Sequence, residues 1–97
     1  MADFILSERA RQDLVDIANY TEEKWSVQQA ERYTRMIITE CHGLSSHPLV
    51  GRSYDQWRPG LRGYPCGKHV IFYRVLSQSK VRVIRILHER MDYPRHL

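Results

Sequence analysis

The hydrophobic pattern of the chain changes its period near Gly51, and this change restricts the fold more than any other feature of the sequence. Before Gly51, apolar residues recur three and four positions apart, as in amphipathic helices. After it, glycines and prolines separate short runs rich in β-branched residues, which is typical of strands. We therefore expect an α+β domain in which helices pack on one face of a sheet.

The first helix is predicted to follow a short strand at residues 3–7. Ser7 is a suitable N-cap, because its hydroxyl can accept a hydrogen bond from a free backbone N–H of the first turn. The helix is expected to end near Lys24 and Trp25. Its apolar face is predicted to contain Ala10, Leu14, Ile17, Ala18 and Thr21, and its polar face Arg9, Gln12, Asp13, Asp16, Asn19 and Glu23.

A second helix is predicted to begin at the capping-box sequence Ser26–Gln29 and to end before Pro48. The short connection between the two helices predicts an antiparallel hairpin. The apolar stripe of the second helix contains Ala30, Tyr33, Ile37, Cys41 and Leu44.

The strands of the second half lead to a β-α-α-β-β-β order, with the N-terminal helix hairpin packed on a small antiparallel sheet. Residues 69–76 are apolar on both faces and predict a central strand. Residues 77–80 predict a tight connection, and residues 81–87 the next strand. Shorter extended pieces are expected between Gly51 and Gly67.

The hairpin between these strands predicts which residues share a face. A reversal about Gln78 and Ser79 places His69 opposite His88. We expect that face to be the one covered by helices, because it also contains Ile71, Tyr73, Ile84 and Ile86. The other face contains Val70, Phe72, Arg74 and Leu76 beside Val81, Val83, Arg85 and Leu87, which makes Arg74 and Arg85 diagonal neighbours.

Arg74 and Arg85 interrupt an apolar strand face, so each needs water, a carboxylate or a ligand. A local ion pair, plain solvation and a basic surface for phosphate or an acidic peptide all remain open. The charge distribution favours an anionic partner. Residues 1–50 contain five Lys or Arg and eight Asp or Glu, whereas residues 51–97 contain ten and three, so the second half has a net charge of +7.

Length and motifs exclude several classes of protein. A chain of 97 residues supports one domain, and no apolar run is long enough to span a bilayer. The beginning of the chain lacks the pattern of a secretory signal, so a cytoplasmic protein is expected. Two cysteines without metal-ligand spacing predict neither a disulfide scaffold nor a metal site. Walker, GxSxG, HExxH and GxGxxG motifs are absent, and no cofactor is expected.

Several segments together resemble the ParE toxins of the RelE/ParE superfamily. The strongest are HVIFYR at 69–74 and RILHERMD at 85–92, supported by Gly60-Leu-Arg62 and by the end of the chain, Arg95-His96-Leu97. The earlier part agrees, with Leu6-Ser7, Ala10, Asp13-Leu14, Ile17-Ala-Asn-Tyr20, Trp25, Gln29-Ala30 and His47–Arg52. The resemblance covers essentially the whole chain and implies one toxin domain over residues 1–97.

This resemblance implies the toxin of a type II toxin–antitoxin module. Such toxins inhibit DNA gyrase and are neutralised by a ParD-like antitoxin whose C-terminal part wraps the toxin. It implies no catalytic residues, and no direct binding of nucleic acid without the antitoxin or gyrase. The residues expected to contact antitoxin or target are Arg58, Arg62, Arg74, Arg85, His88, Arg90 and Arg95.

Two alternatives remain. The sister RelE branch consists of ribosome-dependent mRNA endonucleases, but Lys68 is the only lysine between Lys24 and Lys80, and Tyr93 is the only tyrosine near the end. A toxin-like module that has lost toxicity is the other alternative. His69 and His88 form a possible acid–base pair, although such a pair is more often structural. The tail from His88 has few apolar anchors, so a chain truncated after Asp92 is expected to fold.

Overall fold

The computed structural model describes residues 3–97 and confirms the α+β class. Two long helices lie between a first strand and four further strands, and a short helix follows. The elements are β1 (Asp3–Leu6), α1 (Glu8–Lys24), α2 (Val27–Ser46), β2 (Arg52–Ser53), β3 (Leu61–Cys66), β4 (His69–Ser77), β5 (Lys80–His88) and α3 (Tyr93–His96). Within the described residues, no helix is long and apolar enough to cross a membrane.

The two long helices begin at the residues that the sequence predicts. The Ser7 hydroxyl accepts from the N–H of Ala10 at 3.0 Å, and the Ser26 hydroxyl accepts from the N–H of Gln29 at 3.0 Å. Both caps therefore satisfy a backbone donor that an uncapped first turn would leave without a partner. α1 and α2 lie against each other, with only Trp25 and Ser26 between them.

The sheet is mixed rather than wholly antiparallel. Its strand order is β1-β5-β4-β3-β2, and β1 pairs with β5 in parallel, whereas the other neighbours are antiparallel. The antiparallel helix hairpin returns the chain to its starting end, and β2 to β5 then alternate in direction. The reversals made by the helix hairpin and by strands β2 to β5 add up so that β5 runs in the same direction as β1.

Both faces of the sheet are covered. On one face, Ile71, Tyr73, Val81, Val83 and Ile86 pack against helical residues that include Ala10, Ile17, Ile37, Cys41 and Leu44. This confirms that the helices cover the face containing Ile71, Tyr73 and Ile86. On the other face a smaller core contains Leu61, Val70, Phe72 and Leu87, covered by Tyr54, Tyr93 and Leu97.

A β-bulge at Ile84 changes half of the predicted register. His69 lies opposite His88 and Ile71 opposite Ile86, as predicted. From Tyr73 to Val75 the pairing is shifted by one residue, so that Tyr73 pairs with Val83 and Ile84 has no partner. A second irregularity at Leu76 returns Ser77 to its predicted partner, Lys80. The extra residue moves Val81 and Val83 to the helix-covered face and Ile84 away from it. The prediction that Ile84 faces Tyr73 was therefore wrong.

Two further differences concern polar residues and the C-terminus. Asp13, predicted on the solvent-facing side of α1, is buried, because its carboxylate binds Arg85 of β5.

The tail after Asp92 forms α3, and its Tyr93 and Leu97 pack on the smaller core. The tail is thus a cover for the outer face of the sheet and not a surface extension.

Candidate functional site

An open groove rich in arginine lies on the outer face of the β4–β5 hairpin, with a volume of about 620 Å³. We call it the arginine groove. The beginning of α1 and the C-terminal tail form two of its walls. Of the described residues, those that line it are Ser7, Glu8, Arg9, Arg58, Arg74, Leu76, Arg82, Ile84, Arg85, His96 and Leu97.

The local structure that forms the groove depends on Ser7. Its backbone N–H donates to the Val83 carbonyl at 2.9 Å, and its hydroxyl donates to the Ile84 carbonyl at 2.7 Å. The same hydroxyl caps α1. Ser7 therefore holds the first turn of α1 against the β-bulge, which brings Arg9 to the edge of the groove.

Arg85 is bound within the protein. Its Nε and Nη2 donate to the two carboxylate oxygens of Asp13 at 2.8 and 2.9 Å, and its Nη1 donates to the His96 carbonyl. Both partners of the ion pair are about nine-tenths buried. The hydrogen bond to Asp13 raises the pKa of Arg85 above its ordinary value. Of the roles left open for Arg85, the structure shows the local ion pair.

Arg74 and Arg82 are in a different situation. They are register partners on β4 and β5, so two guanidinium groups lie on neighbouring strands at the same level of the sheet. Arg85 keeps its predicted partner Phe72 and lines the same groove as Arg74, but the bulge brings Arg82 directly opposite Arg74. The Nε of Arg74 is buried and has no hydrogen-bond partner among the described residues. A buried donor without a partner costs about 1–3 kcal/mol.

The groove brings together three of the seven residues predicted to contact antitoxin or target: Arg58, Arg74 and Arg85. Arg62 lies elsewhere and donates to the Gly51 carbonyl at 2.7 Å, which supports the segment after α2. Arg90 and Arg95 are exposed and do not line the groove.

Three residues that line the groove were not predicted from the sequence: Arg9, Arg82 and His96. No local signal distinguishes Arg9, which reaches the groove only because Ser7 ties α1 to the bulge. Arg82 alternates with Val81 and Val83, and this alternation indicates its face once the bulge is known. The sequence places His96 only in the C-terminal segment that resembles ParE toxins and gives no indication that it lies near Arg74.

His88 lines a second cavity, of about 500 Å³, between the connected end of the helix hairpin, around Trp25, and the beginning of β4. There its ring lies 5.3 Å from that of His69. The Tyr33 hydroxyl accepts from the Lys68 N–H at 2.9 Å and lies 2.7 Å from His69 Nδ1. The Tyr33 hydroxyl donates to Nδ1 when the proton of neutral His69 lies on Nε2, and accepts from Nδ1 in the other tautomer.

The electrostatics of this second cavity keep His69 neutral. Burial, the larger cause, and the neighbouring His88 together lower the pKa of His69 to about 4. Burial also raises the pKa of the Tyr33 hydroxyl. At pH 7 neither group is suited to exchange protons readily. The His69–His88 pair lines the helix-side cavity, whereas Arg74 and Arg85 line the arginine groove.

The other reactive groups are buried. Cys41 and Cys66 are free thiols in the helix-side core. Burial raises their pKa values, to about 12 for Cys41 and about 11 for Cys66, which disfavours the nucleophilic thiolate. Within residues 3–97, no group of three or more His, Cys, Asp or Glu side chains is placed to hold a metal ion.

Comparison with known families decides which of the expected classes the chain falls in. The family model described as "ParE toxin of type II toxin-antitoxin system, parDE" matches residues 4–93. The chain belongs to the ParE toxin family. The resemblance noted in the sequence is thereby confirmed.

Curated ParE relatives match the chain over nearly its whole length. Toxin ParE1 of Mycobacterium tuberculosis (strain ATCC 25618 / H37Rv) is 38% identical over 94 residues, covering 97% of this chain and 96% of the relative. Toxin ParE1 of Caulobacter vibrioides is 39% identical over 97 residues, covering 100% and 99%.

A solved structure shares the fold. It is a chain of the chromosomal ParDE TA system from P. aeruginosa, which superposes with a TM-score of 0.75 at 19% identity and covers 91% of this chain and 96% of that one. The ParE fold is thus the one described above, with two helices on a mixed five-stranded sheet.

Proposed function

We propose that this ParE-family chain inhibits DNA gyrase by binding it and is neutralised by a ParD-like antitoxin, with residues 1–97 as one toxin domain. The relatives named ParE1 and the ParDE system from P. aeruginosa support a toxin that has an antitoxin partner. A gyrase inhibitor acts where the chromosome is, so the function implies a cytoplasmic protein.

The observation that carries the proposal is the set of unpaired arginines in the arginine groove. Arg85 forms an ion pair with Asp13. Arg74 and Arg82 form no ion pair with a carboxylate in residues 3–97. A partner that supplies carboxylates would neutralise them. This is the chemistry expected of a surface that an acidic antitoxin covers.

The distribution of proton-transfer groups supports inhibition without catalysis. Cleavage of a phosphodiester requires a base, fixed cations and an acid that converge on one phosphate. The His69–His88 pair lies in the helix-side cavity, and Nδ1 of His69 faces the Tyr33 hydroxyl. That pair cannot act on a phosphate bound by Arg74 and Arg82.

The deciding experiment measures the supercoiling activity of gyrase and the cleavage of mRNA side by side. The purified protein is titrated into a supercoiling assay with purified gyrase, and mRNA ends are mapped on translating ribosomes after induction. We expect inhibition of supercoiling, loss of viability and no new mRNA ends. Codon-positioned cuts with undisturbed supercoiling would overturn the proposal.

One observation favours the endonuclease as second candidate. His96 lines the arginine groove and is therefore the histidine placed near Arg74 and Arg82. In a nuclease it would have to transfer a proton, so His96→Gln would abolish growth inhibition. Under the proposed function His96→Gln retains growth inhibition, because the His96 backbone carbonyl, which Arg85 binds, is unchanged. A non-toxic relic would inhibit neither growth nor gyrase.

A further inference from the structure

We propose that Arg74 and Arg82 form a clamp for a single carboxylate of an acidic peptide segment, in which that acidic residue is flanked on both sides by aliphatic residues. The proposal rests on the proposed function, since the antitoxin is the partner expected to supply such a segment. In this proposal Arg74 and Arg82 bind the carboxylate of the partner, and Arg85 does not contact it.

The clamp follows from the pairing of β4 and β5. Like charges directly opposite each other on neighbouring strands are unfavourable, and Arg74 and Arg82 are direct register partners. Neither forms an ion pair with any carboxylate in residues 3–97. The buried Nε of Arg74 also has no acceptor there. A carboxylate between the two guanidinium groups would remove the repulsion and accept hydrogen bonds from both.

Arg85 is unavailable for this role although it lines the same groove. Its Nε and Nη2 are bound to Asp13, and its Nη1 is bound to the His96 carbonyl. Asp13 already neutralises the charge of Arg85, and a ligand carboxylate that took the place of Asp13 would break a buried ion pair, which is strongly unfavourable.

The neighbours of the clamp specify the sequence of the ligand. Leu76 lies two residues beyond Arg74 on β4, Ile84 lies two residues beyond Arg82 on β5, and both line the groove together with the two arginines. The strands are antiparallel, so Leu76 lies toward the hairpin turn and Ile84 on the opposite side of the clamp. An extended segment with aliphatic residues two positions before and after an acidic residue matches this arrangement.

The aliphatic residues also favour a peptide over a phosphodiester backbone. Leu76 is 50% exposed in the free protein, and the sugar–phosphate backbone offers no aliphatic side chain to cover it. Glu8 lines the same groove and repels a ligand that has a negative charge at every repeat unit. A peptide with one carboxylate between two apolar side chains avoids that repulsion.

The test uses a synthetic fluorescent peptide of eleven residues with Glu at position 6, Leu at positions 4 and 8, and Ser at the other positions. Binding to the full chain is measured by fluorescence anisotropy. We expect Arg74→Gln combined with Arg82→Gln to weaken binding by about tenfold to a hundredfold, as for the loss of charge-assisted hydrogen bonds. Arg82→Gln alone, at an exposed position, is expected to weaken binding at least about threefold.

A matched control removes the same charge elsewhere. Arg32→Gln combined with Arg35→Gln alters two exposed arginines of α2 and is expected to leave binding within about twofold. Replacing Glu by Gln in the peptide is expected to abolish binding. Circular dichroism and the thermal midpoint verify that every variant is folded.

Three results would overturn the clamp: no binding by the unaltered protein, equal losses in the two double variants, or displacement of the peptide by a short DNA duplex that binds through the same arginines. The proposed function is judged separately, by the supercoiling assay without peptide. A protein that inhibits gyrase but fails the titration loses the clamp alone, whereas one that passes the titration but leaves gyrase active contradicts the proposed function.

Discussion

Asp13 on α1 and Arg85 on β5 form a buried, two-pronged ion pair, with nitrogen–oxygen distances of 2.8 and 2.9 Å, across 72 residues of sequence. The same carboxylate also accepts from the backbone N–H of Ile86 at 2.9 Å. The Asp13 side chain thus supplies an acceptor to β5 beyond Val83, where the pairing with β1 ends. One carboxylate thus joins the first helix, the bulged strand and, through Arg85, the C-terminal tail.

Asp13→Asn is expected to lower the free energy of unfolding by about 3 kcal/mol, because it leaves the Arg85 charge buried without its counter-charge. Urea denaturation at pH 7 measures the change. The control is Asp16→Asn on the exposed side of the same helix, with an expected change within about 0.5 kcal/mol. Similar effects of the two substitutions would contradict a stabilising role for the buried pair.

The stability of the protein is expected to fall as the pH falls from 6.5 to 4, in part because of His69. The unfolded chain takes up a proton at His69 below pH 6.5, whereas burial and His88 keep the folded pKa at about 4. The unfolded state therefore binds more protons in this window, and about 2 kcal/mol is lost across it, less than the full shift because the ring is partly exposed. Above pH 6.5 the contribution of His69 is constant.

His69→Gln tests this titration. The difference in unfolding free energy between the unaltered protein and the variant should change between pH 7 and pH 4.5. Asn19→Gln, at an exposed residue that carries no titratable group, serves as control, and its difference should stay constant. A constant difference for His69→Gln as well would show that His69 titrates normally.

Two glycine-to-alanine substitutions are expected to have opposite signs. A Cβ at Gly51 would overlap the ring and hydroxyl of Tyr73, whose Oη accepts from the Gly51 N–H and donates to the Pro48 carbonyl. Gly51→Ala should therefore destabilise the fold by about 2–3 kcal/mol. Gly43 lies in α2 with open space where a Cβ would lie, so Gly43→Ala should stabilise by about 0.5–1 kcal/mol. Thermal unfolding of both variants gives the signs, and a neutral Gly51→Ala would disprove the close contact.

Truncation after Asp92 is expected to destabilise the fold by about 3 kcal/mol, contrary to the prediction from sequence. It removes Tyr93 and Leu97 from the outer core and the His96 carbonyl from Arg85. Denaturant titration of the truncated chain measures the loss. Arg95→Ala, at an exposed position of the same tail, should change stability by less than about 0.5 kcal/mol. An unchanged midpoint after truncation would restore the surface-tail interpretation.

Some parts of the fold were predictable because their cause is local. Ser7 and Ser26 cap the long helices, and each needs only a backbone donor three residues away. The pairing of His69 with His88 agrees with the register set by the short hairpin, because the extra residue on β4 at Leu76 and the extra residue on β5 at Ile84 compensate each other. The parallel pairing of β1 was not predictable in this way, since it depends on how the complete helix hairpin returns the chain.

The candidate site was less predictable for a physical reason. The face on which an arginine lies follows from alternation only if no residue is inserted, and nothing in the run from Val81 to Leu87 distinguishes Ile84 as the bulged residue. The bulge therefore decided that Arg82, not Arg85, lies opposite Arg74. The amphipathic pattern likewise placed Asp13 toward solvent. Such a pattern depends only on the hydrophobicity of neighbouring residues, whereas Asp13 is buried by its ion pair with Arg85, 72 residues away.

The sequence by itself determined the two capped helices, the central β4–β5 hairpin, the basic second half and membership of the ParE family, because these depend on local periodicity, short-range hydrogen bonds and residue identity. Only the tertiary structure decided which arginines are already neutralised and which remain free for a partner. That distinction depends on contacts between residues far apart in the chain: Asp13 binds Arg85, and the tail covers Phe72. A charge count treats all arginines alike, whereas burial and pairing separate Arg85 from Arg74 and Arg82.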